Sequence, residues 1–506
     1  MATNDTAETR PLNIITNGNN VQVTEDPPPK TFCEKFKSVY TNITVEPAAF
    51  MMLFSSILSS IATQTLGLEK ACRVSLELGD EICYSLRIQN TSNNFSDYEA
   101  LVQAHVSARL VWKSAIQSAL PCIILIFVGS WSDKTGRRKI VMICPIVGEI
   151  FQCSSNIINV VFFYQLPLEV LIFFDAFFGS IAGGWSVTFL ALFSYISDIT
   201  TKENRTHRLG LVNFFSFAGM PLGLAISGIM LKGVGYYAVY GLSLGIHIVN
   251  VIYIIFSVSD PPRSEEQRKH DNRGFWYFLK TFFDIRTIKE TLRVVFRKAP
   301  NNRRCHLIVL LGVTIFLFIP TFGEASISYM LTRYRFNWNE LQYSIFQTYN
   351  FVLNSIGTVF SIFVFSKYLK WHDSILGIIS TTSKIASSFV YAFAPNATIF
   401  YIGPLVDILN GTSVLAVRSI YSKLVEPNEL GKMNSIVGVT ETLLPVIAVS
   451  LYTQVYTNTM SVMPGAVYLL GATTTVPGVL VFIWLFFEHR KILRQEKAKT
   501  NHMPMS

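Results

Sequence analysis

Apolar stretches of about 20 residues, the length that a helix needs to cross a bilayer, alternate with polar segments along most of the chain. Twelve such stretches lie at residues 47–68, 109–130, 140–164, 169–197, 210–231, 238–257, 306–330, 343–366, 374–394, 399–422, 433–456 and 464–487. They divide six and six around a long charged segment, 258–305, as in transporters built from two bundles. The pattern predicts an all-α multi-pass membrane protein with twelve transmembrane helices in two six-helix bundles.

The polar segments complete the predicted domain organisation. Residues 1–46 contain three consecutive prolines and no apolar core, which is typical of a disordered tail rather than of a signal peptide. The two bundles are assigned to residues 47–257 and 306–487, and a second short tail is assigned to residues 488–506.

The charged segment between the bundles contains an apolar repeat that follows Asp284. Ile288, Leu292 and Val295 fall at helical spacing, with lysines and arginines on the other faces. This pattern favours a helix that lies on the inner leaflet. A flexible linker with chance periodicity is the alternative.

Composition supports a membrane location, and charge orients the chain in the bilayer. Half of the 506 residues are apolar and 15% are charged, a balance that would leave a soluble domain with excess apolar surface. Most of the 42 lysines and arginines lie in the termini and in the even-numbered connections, so the positive-inside rule predicts that both termini are cytoplasmic. This topology accounts for the net charge of +9, and we expect no nucleic-acid partner.

The same topology places the loop 69–106 outside the membrane. The loop contains two glycosylation sequons, at Asn90 and Asn94, in a position where they can be modified. Cys72 and Cys83 are the two of the seven cysteines that lie in this oxidising loop, and we expect them to pair with each other.

The segment 129–139, Gly-Ser-Trp-Ser-Asp-Lys-Thr-Gly-Arg-Arg-Lys, is the most informative motif of the chain. A basic loop would satisfy the positive-inside rule, but that rule requires neither glycine nor an embedded aspartate. The pattern resembles the loop between the second and third helices of the major facilitator superfamily, and the resemblance implies a cytoplasmic gate. The end of span four and the loop after it supply countercharges. The predicted gate residues are Gly129, Asp133, Gly136, Arg137, Arg138, Asp198, Arg205 and Arg208.

Ionisable residues inside the spans are costly to bury and are candidates for a binding or coupling site. Arg418 lies deep in span ten and keeps its charge, so it needs a carboxylate partner or an anionic substrate. Glu324 and Glu441 are the acids that we expect to partner Arg418 or to accept a proton. A static buried ion pair is the alternative for each. His247 is a weaker candidate, since a histidine in span six is more often hydrogen-bonded in packing.

The other charged residues of the spans have simpler explanations. Arg109, Lys113, Asp175 and Asp407 lie near outer helix ends, where a solvated position and a functional role are equal alternatives. Lys384 in span nine is expected to be a packing or interfacial lysine.

Over almost all of its twelve helices the chain resembles the proton-coupled folate transporter family, which includes the thymic stromal cotransporter. Besides the segment 129–139, the resemblance rests on Ser197-Asp198, Arg205-Thr206, Arg208, Asp260-Pro261, Phe322-Gly323, Tyr334, Trp338 and, most specifically, residues 418–426. It implies the major facilitator fold, substrate binding or proton coupling at Arg418, and a role for Asp133 in the transport cycle.

Four positions depart from the folate branch of that family. Asn213 and Thr321 replace a glutamate and a histidine that the branch uses in proton coupling, and neither Asn nor Thr carries a proton at physiological pH. We expect these two side chains to hydrogen-bond the substrate instead. Gly184 and Asn337 replace an aspartate and a cysteine. Glu441 resembles the acid of other branches, which are linked to muropeptides, cyclic dinucleotides and steroid or drug conjugates, so the chain is predicted not to be the folate transporter itself.

Together these features predict a secondary active transporter that moves an organic anion by alternating access with proton coupling. The candidate cargoes are folate-like, muropeptide or nucleotide-like. A non-transporting membrane sensor that retains the fold is the alternative from another class. The sequence has no nucleophile triad, phosphate-binding loop or metal-ligand cluster, so we expect no enzyme, no cofactor and no metal. The plasma membrane is favoured over the lysosome, although residues 40–43 match an endosomal sorting pattern. No pattern indicates an oligomeric state.

Overall fold

The computed structural model describes residues 13–17, 20–24, 44–88, 96–200, 202–261, 263, 265–268, 282–283, 303–369, 371–424 and 430–501. Met1–Thr44 and Val45–Ser506 are separate compact units. Within the described residues of the larger unit the secondary structure is helical, and eleven helical segments are long and apolar enough to cross a membrane.

The first bundle contains eight helices. They are α1 (Glu46–Lys70, extended by a π-helical turn over Ala71–Ser75), α2 (Asp80–Arg87), α3 (Ser96–Thr135), α4 (Arg138–Val161), α5 (Leu168–Ser180), α6 (Gly184–Ile199), α7 (Lys202–Gly233) and α8 (Tyr236–Ser257). Here α1 packs along α7 and α8, and α4 packs against α5, α6 and α8. A short helix, α9 (Glu265–Arg268), follows the bundle.

The second bundle also contains eight helices. They are α10 (Arg303–Phe336), α11 (Glu340–Phe360, continued as a π-helix over Ser361–Tyr368), α12 (Asp373–Phe393), α13 (Ala397–Phe400), α14 (Gly403–Val406), α15 (Thr412–Leu424), α16 (Leu430–Thr459) and α17 (Ala466–Asn501). The two bundles meet where α3 packs along α16 and α7 packs along α11.

Local sequence sets several helix ends. α11 begins with a capping box, in which Asn339 and Gln342 each accept a hydrogen bond from the other's backbone N–H at 3.0 Å. α1 has a proline in its first turn, where the missing N–H costs no helical hydrogen bond. Gly219 and Gly223 of α7 lie against the backbone of α1. Because glycine has no side chain, the two helices can approach each other closely at these positions.

The predicted span ten is broken, which corrects the expectation of one continuous helix over residues 399–422. It consists of α13, α14 and α15, with turns over residues 407–411. Hydroxyls of α12 satisfy the exposed carbonyls of the break, since Ser380 Oγ donates to Asn410 O at 2.7 Å and Ser383 Oγ donates to Val406 O. Irregular backbone is tolerated at membrane depth when protein groups satisfy it in this way. This break is why eleven rather than twelve continuous spans are found in the described residues.

Span four is also interrupted, between α5 and α6. Gly183 and Gly184 have φ values of 92° and 52°, a left-handed conformation that favours glycine. At position 184, where the folate branch has an aspartate, the backbone conformation therefore favours the glycine found in this chain.

Other boundaries differ from the predicted ones. α3 begins at Ser96, so the loop predicted over residues 69–106 is largely helical, and α17 extends to Asn501 through much of the predicted tail 488–506. These helix ends are polar, so a search for apolar stretches does not detect that the helices continue through them. The predicted inner-leaflet helix after Asp284 lies outside the described residues.

The sequence predicts a disordered tail over residues 1–46, but the structure contains a hairpin there and places Glu46 in α1. β1 (Asn13–Asn17) pairs antiparallel with β2 (Asn20–Thr24), so that Asn17 lies opposite Asn20. Two isoleucines in β1 and two valines in β2 favour strands, and the intervening Gly-Asn is a common hairpin signal.

Buried apolar side chains form one core shared by both bundles at one end of the helices and two separate cores at the other end. Leu66 of α1 and Tyr329 of α10 belong to the shared core, which also contains Cys72 and Cys83. Met142 belongs to a core confined to the first bundle, and Phe482 belongs to a core confined to the second. We call the shared end the disulfide face and the end with residues 129–139 the motif face.

Candidate functional site

The motif segment 129–139 covers the end of α3, a tight turn at residues 136–137 and the start of α4. Gly136, between these helices, has a φ of 66°, and an added Cβ would lie 2.8 Å from Arg263 Cγ. Both observations favour glycine at this position. Gly129 lies against α6, where an added Cβ would make ordinary contact with Leu190 at 3.5 Å.

Arg138 ties this turn to span four. Its Nε donates to Asp198 Oδ2 at 2.8 Å, and its Nη1 donates to Ser132 Oγ at 2.8 Å. All three residues belong to the first bundle. In this conformation the ion pair therefore braces one bundle, and its role in locking the two halves stays a prediction for the opposite conformation.

The other predicted gate residues take different positions. Arg208 Nη2 lies 3.2 Å from the Glu46 carboxylate, which joins the start of α7 to the start of α1. Arg137 lies at the N-terminal end of α4. The side chains of Asp133 and Arg205 lie outside the described residues, as do the sequons at Asn90 and Asn94.

A buried polar network crosses between the bundles at the disulfide face, and the sequence analysis missed it. Arg333 of α10 donates from Nε to Glu99 Oε1 of α3 at 2.6 Å. Gln103, one turn from Glu99, donates to the Met330 carbonyl at 3.0 Å and accepts from Tyr456 Oη at 2.6 Å. We call these five residues the disulfide-face lock. Glu99 was overlooked because the predicted loop included it, whereas it lies within α3.

The disulfide joins the short helix α2 to the π-helical turn after α1, and α2 also contacts Arg333 of the lock. Cys72 and Cys83 are bonded, with their Cα atoms 5.8 Å apart. Arg333 Nη2 donates to the carbonyl of Leu86, which lies one turn beyond Cys83 on the same helix, at 2.5 Å. The cross-link therefore holds the Leu86 carbonyl, a further acceptor of Arg333, in position.

A cavity of about 190 Å³ lies between the bundles, below the lock. Its polar lining comes from both bundles and comprises Thr63, Gln64, Lys113, Ser114, Gln117, Ser326 and Tyr329. Its apolar lining includes Leu68, Leu171, Met330 and Val449. A mixed lining of this kind is typical of sites for small organic molecules.

Among the described residues that line this cavity, Lys113 is the one cation. Its Nζ lies 2.7 Å from Asp175 Oδ2, and Asp175 also accepts hydrogen bonds from Gln152 and Asn156 at 2.8 and 3.1 Å. Asp175 is buried, so the solvated position that the sequence left open for this acid is wrong. The two amides leave Asp175 well compensated, and Lys113 retains donors for a ligand.

Arg418 and Glu441 form an ion pair between α15 and α16. Arg418 Nη2 donates to both carboxylate oxygens, at 2.9 and 3.0 Å. The Arg418 side chain is 55% exposed and lies in the part of α15 that approaches the motif face. Because Arg418 is accessible, an anionic ligand can compete with Glu441 for its donors.

Glu324, the other predicted partner of Arg418, pairs with Lys384 instead. Lys384 Nζ lies 2.6 Å from Glu324 Oε2 and 3.9 Å from Asp407 Oδ2, and all three side chains are largely buried. Lys384 is therefore not interfacial and Asp407 is not solvated. Residue spacing along a single helix gives no distance between helices, so the sequence could not reveal this cluster.

The remaining predicted site residues lie apart from Arg418. His247 is fully buried in the first bundle, with Nδ1 3.2 Å from Ser55 Oγ and Nε2 3.9 Å from Glu149 Oε2. Asn213 Nδ2 donates to Leu209 O at 3.0 Å, and Thr321 Oγ1 donates to Leu317 O at 3.0 Å, each within its own helix. Both side chains are at least partly exposed and retain acceptor capacity.

A family model described as "Major Facilitator Superfamily" matches residues 48–449. The chain belongs to the Major Facilitator Superfamily. The fold prediction is confirmed, with span ten broken.

The curated relatives of this Major Facilitator Superfamily chain are transporters. The lysosomal proton-coupled steroid conjugate and bile acid symporter SLC46A3 of Gallus gallus is 25% identical over 88% of this chain and 94% of the relative. The probable peptidoglycan muropeptide transporter SLC46 of Drosophila melanogaster is 22% identical over 87% and 85%. The proton-coupled folate transporter of Rattus norvegicus is 24% identical over 70% and 73%. The family prediction is confirmed, and the chain is a membrane transporter rather than an enzyme.

Solved structures of the superfamily share the fold. The partially occluded inward open xylose transporter XylE from E. coli superimposes with a TM-score of 0.59 at 15% identity, over 89% of this chain and 98% of that chain. The human organic anion transporter MFSD10 superimposes with a TM-score of 0.55 at 14% identity, over 87% and 98%. These likenesses concern the fold alone.

Proposed function

We propose that this protein is a secondary active transporter that carries an amphipathic organic anion between its two bundles by alternating access, coupled to protons. One observation carries the proposal: the bundles share a core and a buried lock at the disulfide face but have separate cores at the motif face. This asymmetry is what one of two alternating states requires. By the positive-inside prediction the motif face is cytoplasmic, and the described state is then inward-facing.

Two cations support an anionic cargo. Lys113 lines the cavity, and the Arg418 side chain of the second bundle is more than half exposed. The leucines, valines and methionine of the lining suit an apolar body. Bile acids, steroid conjugates and folates, which the names of the relatives print as their cargoes, combine an apolar or aromatic frame with an anionic group.

The experiment that tests this proposal is an uptake screen with paired variants. Full-length protein would be expressed in cells and supplied with labelled taurocholate, folate and a muropeptide at acidic and neutral pH. We expect uptake of at least one of these anions, and faster uptake at acidic pH. Binding without uptake would favour the sensor alternative, which no observation supports at present.

Arg418→Gln alone leaves Glu441 without its partner, so loss of uptake in that variant would be ambiguous. The double variant Arg418→Gln/Glu441→Gln removes both charges. If the pair were a static brace, the double variant would recover uptake; if Arg418 holds the cargo anion, the double variant stays inactive. Arg418→Lys, which keeps the charge but loses the planar guanidinium and its additional donors, should retain part of the activity.

Location needs a direct measurement. The plasma membrane stays the predicted location, but the SLC46A3 relatives are lysosomal by name, so surface biotinylation should be paired with lysosomal fractionation.

A further inference from the structure

A compact charged cluster lies inside the second bundle, at the break of span ten. Glu324 comes from α10, Lys384 comes from α12, and Asp407 follows α14 at the start of the break. The side chains are 13%, 7% and 7% exposed, respectively. We call these three residues the triad.

The triad contains two carboxylates and one ammonium. The uncharged groups near it in the described residues include the hydroxyls of Tyr391, Tyr452, Tyr468 and Ser387 and the amide of Asn410, whose Nδ2 lies 3.5 Å from Asp407 Oδ2. The nearby guanidinium of Arg335 donates to the carbonyls of residues 391, 392 and 394, so it is committed to the backbone. With both acids ionised the triad would carry a buried net charge of −1, which is costly inside a membrane. A single bound proton removes that charge.

Two carboxylate oxygens are available to hold the proton. Glu324 Oε1 and Asp407 Oδ1 are buried and have no hydrogen-bond partner among the residues that the structure describes. A buried oxygen without a donor is unfavourable if it is charged, and less so if it belongs to a protonated acid.

The triad is placed where a change of charge can act on span ten. Asp407 begins the turns that separate α14 from α15, and α15 carries Arg418 eleven residues later. Broken helices that end at buried charges form the ion sites of many secondary transporters. The break is held by α12, the same helix that carries Lys384, through the hydroxyls of Ser380 and Ser383.

We propose that the triad is the proton-binding site of the transport cycle, in which Glu324 and Asp407 share one lysine and one exchangeable proton. This inference rests on the proposed function, and it gives the chain a proton carrier despite Asn213 and Thr321. A carboxylate of the triad takes a proton from water when its access path opens, and the neutral triad releases that proton to the other side after the bundles reorient.

Infrared spectroscopy of the purified full-length protein tests this site without knowledge of the cargo. A protonated buried carboxyl group has a C=O stretching band that shifts in deuterium oxide and disappears when the proton leaves. We expect such a band in the wild type, titrating between acidic and mildly alkaline pH. We expect the titrating band to be lost in Asp407→Asn, which leaves the balanced pair Lys384–Glu324.

Two further variants keep the test decisive if one variant fails to fold. Glu324→Gln leaves the balanced pair Lys384–Asp407 and should also lose the titrating band. Glu441→Gln removes the acid beside Arg418 and should retain it. Glu149 of the first bundle is also a buried acid, so the comparison is made in a Glu149→Gln background. A band that persists there in both Asp407→Asn and Glu324→Gln, or that disappears only in Glu441→Gln, overturns the proposal.

Transport by proteoliposomes gives the second measurement, with labelled taurocholate as the probe. An imposed acidic gradient should accelerate uptake by the wild type but not by Asp407→Asn, whereas exchange of internal for external taurocholate should persist in that variant. Retained acceleration in the variant overturns the site. Absence of any taurocholate movement in the wild type counts against the bile-acid cargo of the proposed function, and the infrared result still decides the triad.

Discussion

Lys113, Lys384 and Arg418 each have a carboxylate partner on another helix, but the exposure of these pairs differs. Lys384 is nearly enclosed with Glu324, whereas Arg418 is more than half exposed while it holds Glu441. An enclosed pair exchanges its partner only with a change in the bundle, while an exposed cation can bind a ligand at lower cost. The same chemistry therefore suits proton storage at one site and cargo recognition at the other.

Lys113 provides the residue-scale prediction for cargo binding. Lys113→Gln should raise the KM for an anionic cargo about tenfold or more, because a hydrogen bond to a charged group contributes about 1.5–3 kcal/mol. Arg109→Gln is the matched control. Arg109 lies one turn away on α3, and its Nη2 is 2.9 Å from Glu169 Oε1 in a more exposed position. Because exposed ion pairs contribute little, the KM of the Arg109→Gln variant should change less than about twofold.

A double variant tests whether Lys113 binds the cargo or only neutralises the charge of Asp175. In Lys113→Gln/Asp175→Asn neither charge is present. If Lys113 serves only to neutralise Asp175, this double variant should restore the wild-type KM; a KM that stays high assigns the effect to the cargo.

At the scale of helices, the break in span ten depends on its neighbours more than on its own sequence. Residues 407–411 include two apolar residues and are flanked by apolar segments. The mean hydropathy over about 20 residues therefore stays high across the break, and it predicts one continuous span. The break persists because α12 hydroxyls satisfy two of its carbonyls and because Gly357 of α11 leaves space for the Ile408 carbonyl. Neither partner is adjacent in sequence, which is why the break could not be predicted.

Gly357→Ala tests this packing. The added Cβ would overlap Ile408 O, and overpacking of this kind costs about 1–3 kcal/mol. We expect a lower midpoint of thermal unfolding for the purified protein in detergent. Gly245→Ala in α8 is the control, since an added Cβ there meets no atom within 4 Å and alanine favours a helix by about 1 kcal/mol. Equal midpoints for the two variants would show that Gly357 is not needed for the break.

At the scale of the whole molecule, the sequence was informative about what depends on length and composition. Apolar runs predicted the two bundles, and topology placed Cys72 and Cys83 in one loop. The pairing of Arg418 with Glu441 was among the alternatives, because few acids are available in the spans. The sequence did not reveal the lock or the triad, because each joins helices that are distant along the chain and because Glu99 lay in an assumed loop.

The lock provides the prediction for the conformational equilibrium of the whole molecule. Glu99→Gln replaces a buried charge-assisted interaction with Arg333 by a weaker neutral one, so the disulfide face should open more often. The reporter is Ser326→Cys, which places a thiol in the cavity below the lock. If the disulfide face is extracellular, a membrane-impermeant maleimide added to intact cells should label this thiol about tenfold faster in the Glu99→Gln background, as expected for a loss of about 1.4 kcal/mol.

Two controls make this measurement specific. Arg335→Gln changes a nearby arginine whose hydrogen bonds remain within the second bundle, and it should leave the labelling rate unchanged. The exposed native Cys144 and Cys305 lie towards the motif face and should stay unlabelled in intact cells, which tests the predicted orientation at the same time. Equal labelling with and without Glu99→Gln would contradict the role of this ion pair, because the disulfide face would then be held closed by the Gln103 hydrogen bonds and the shared apolar core.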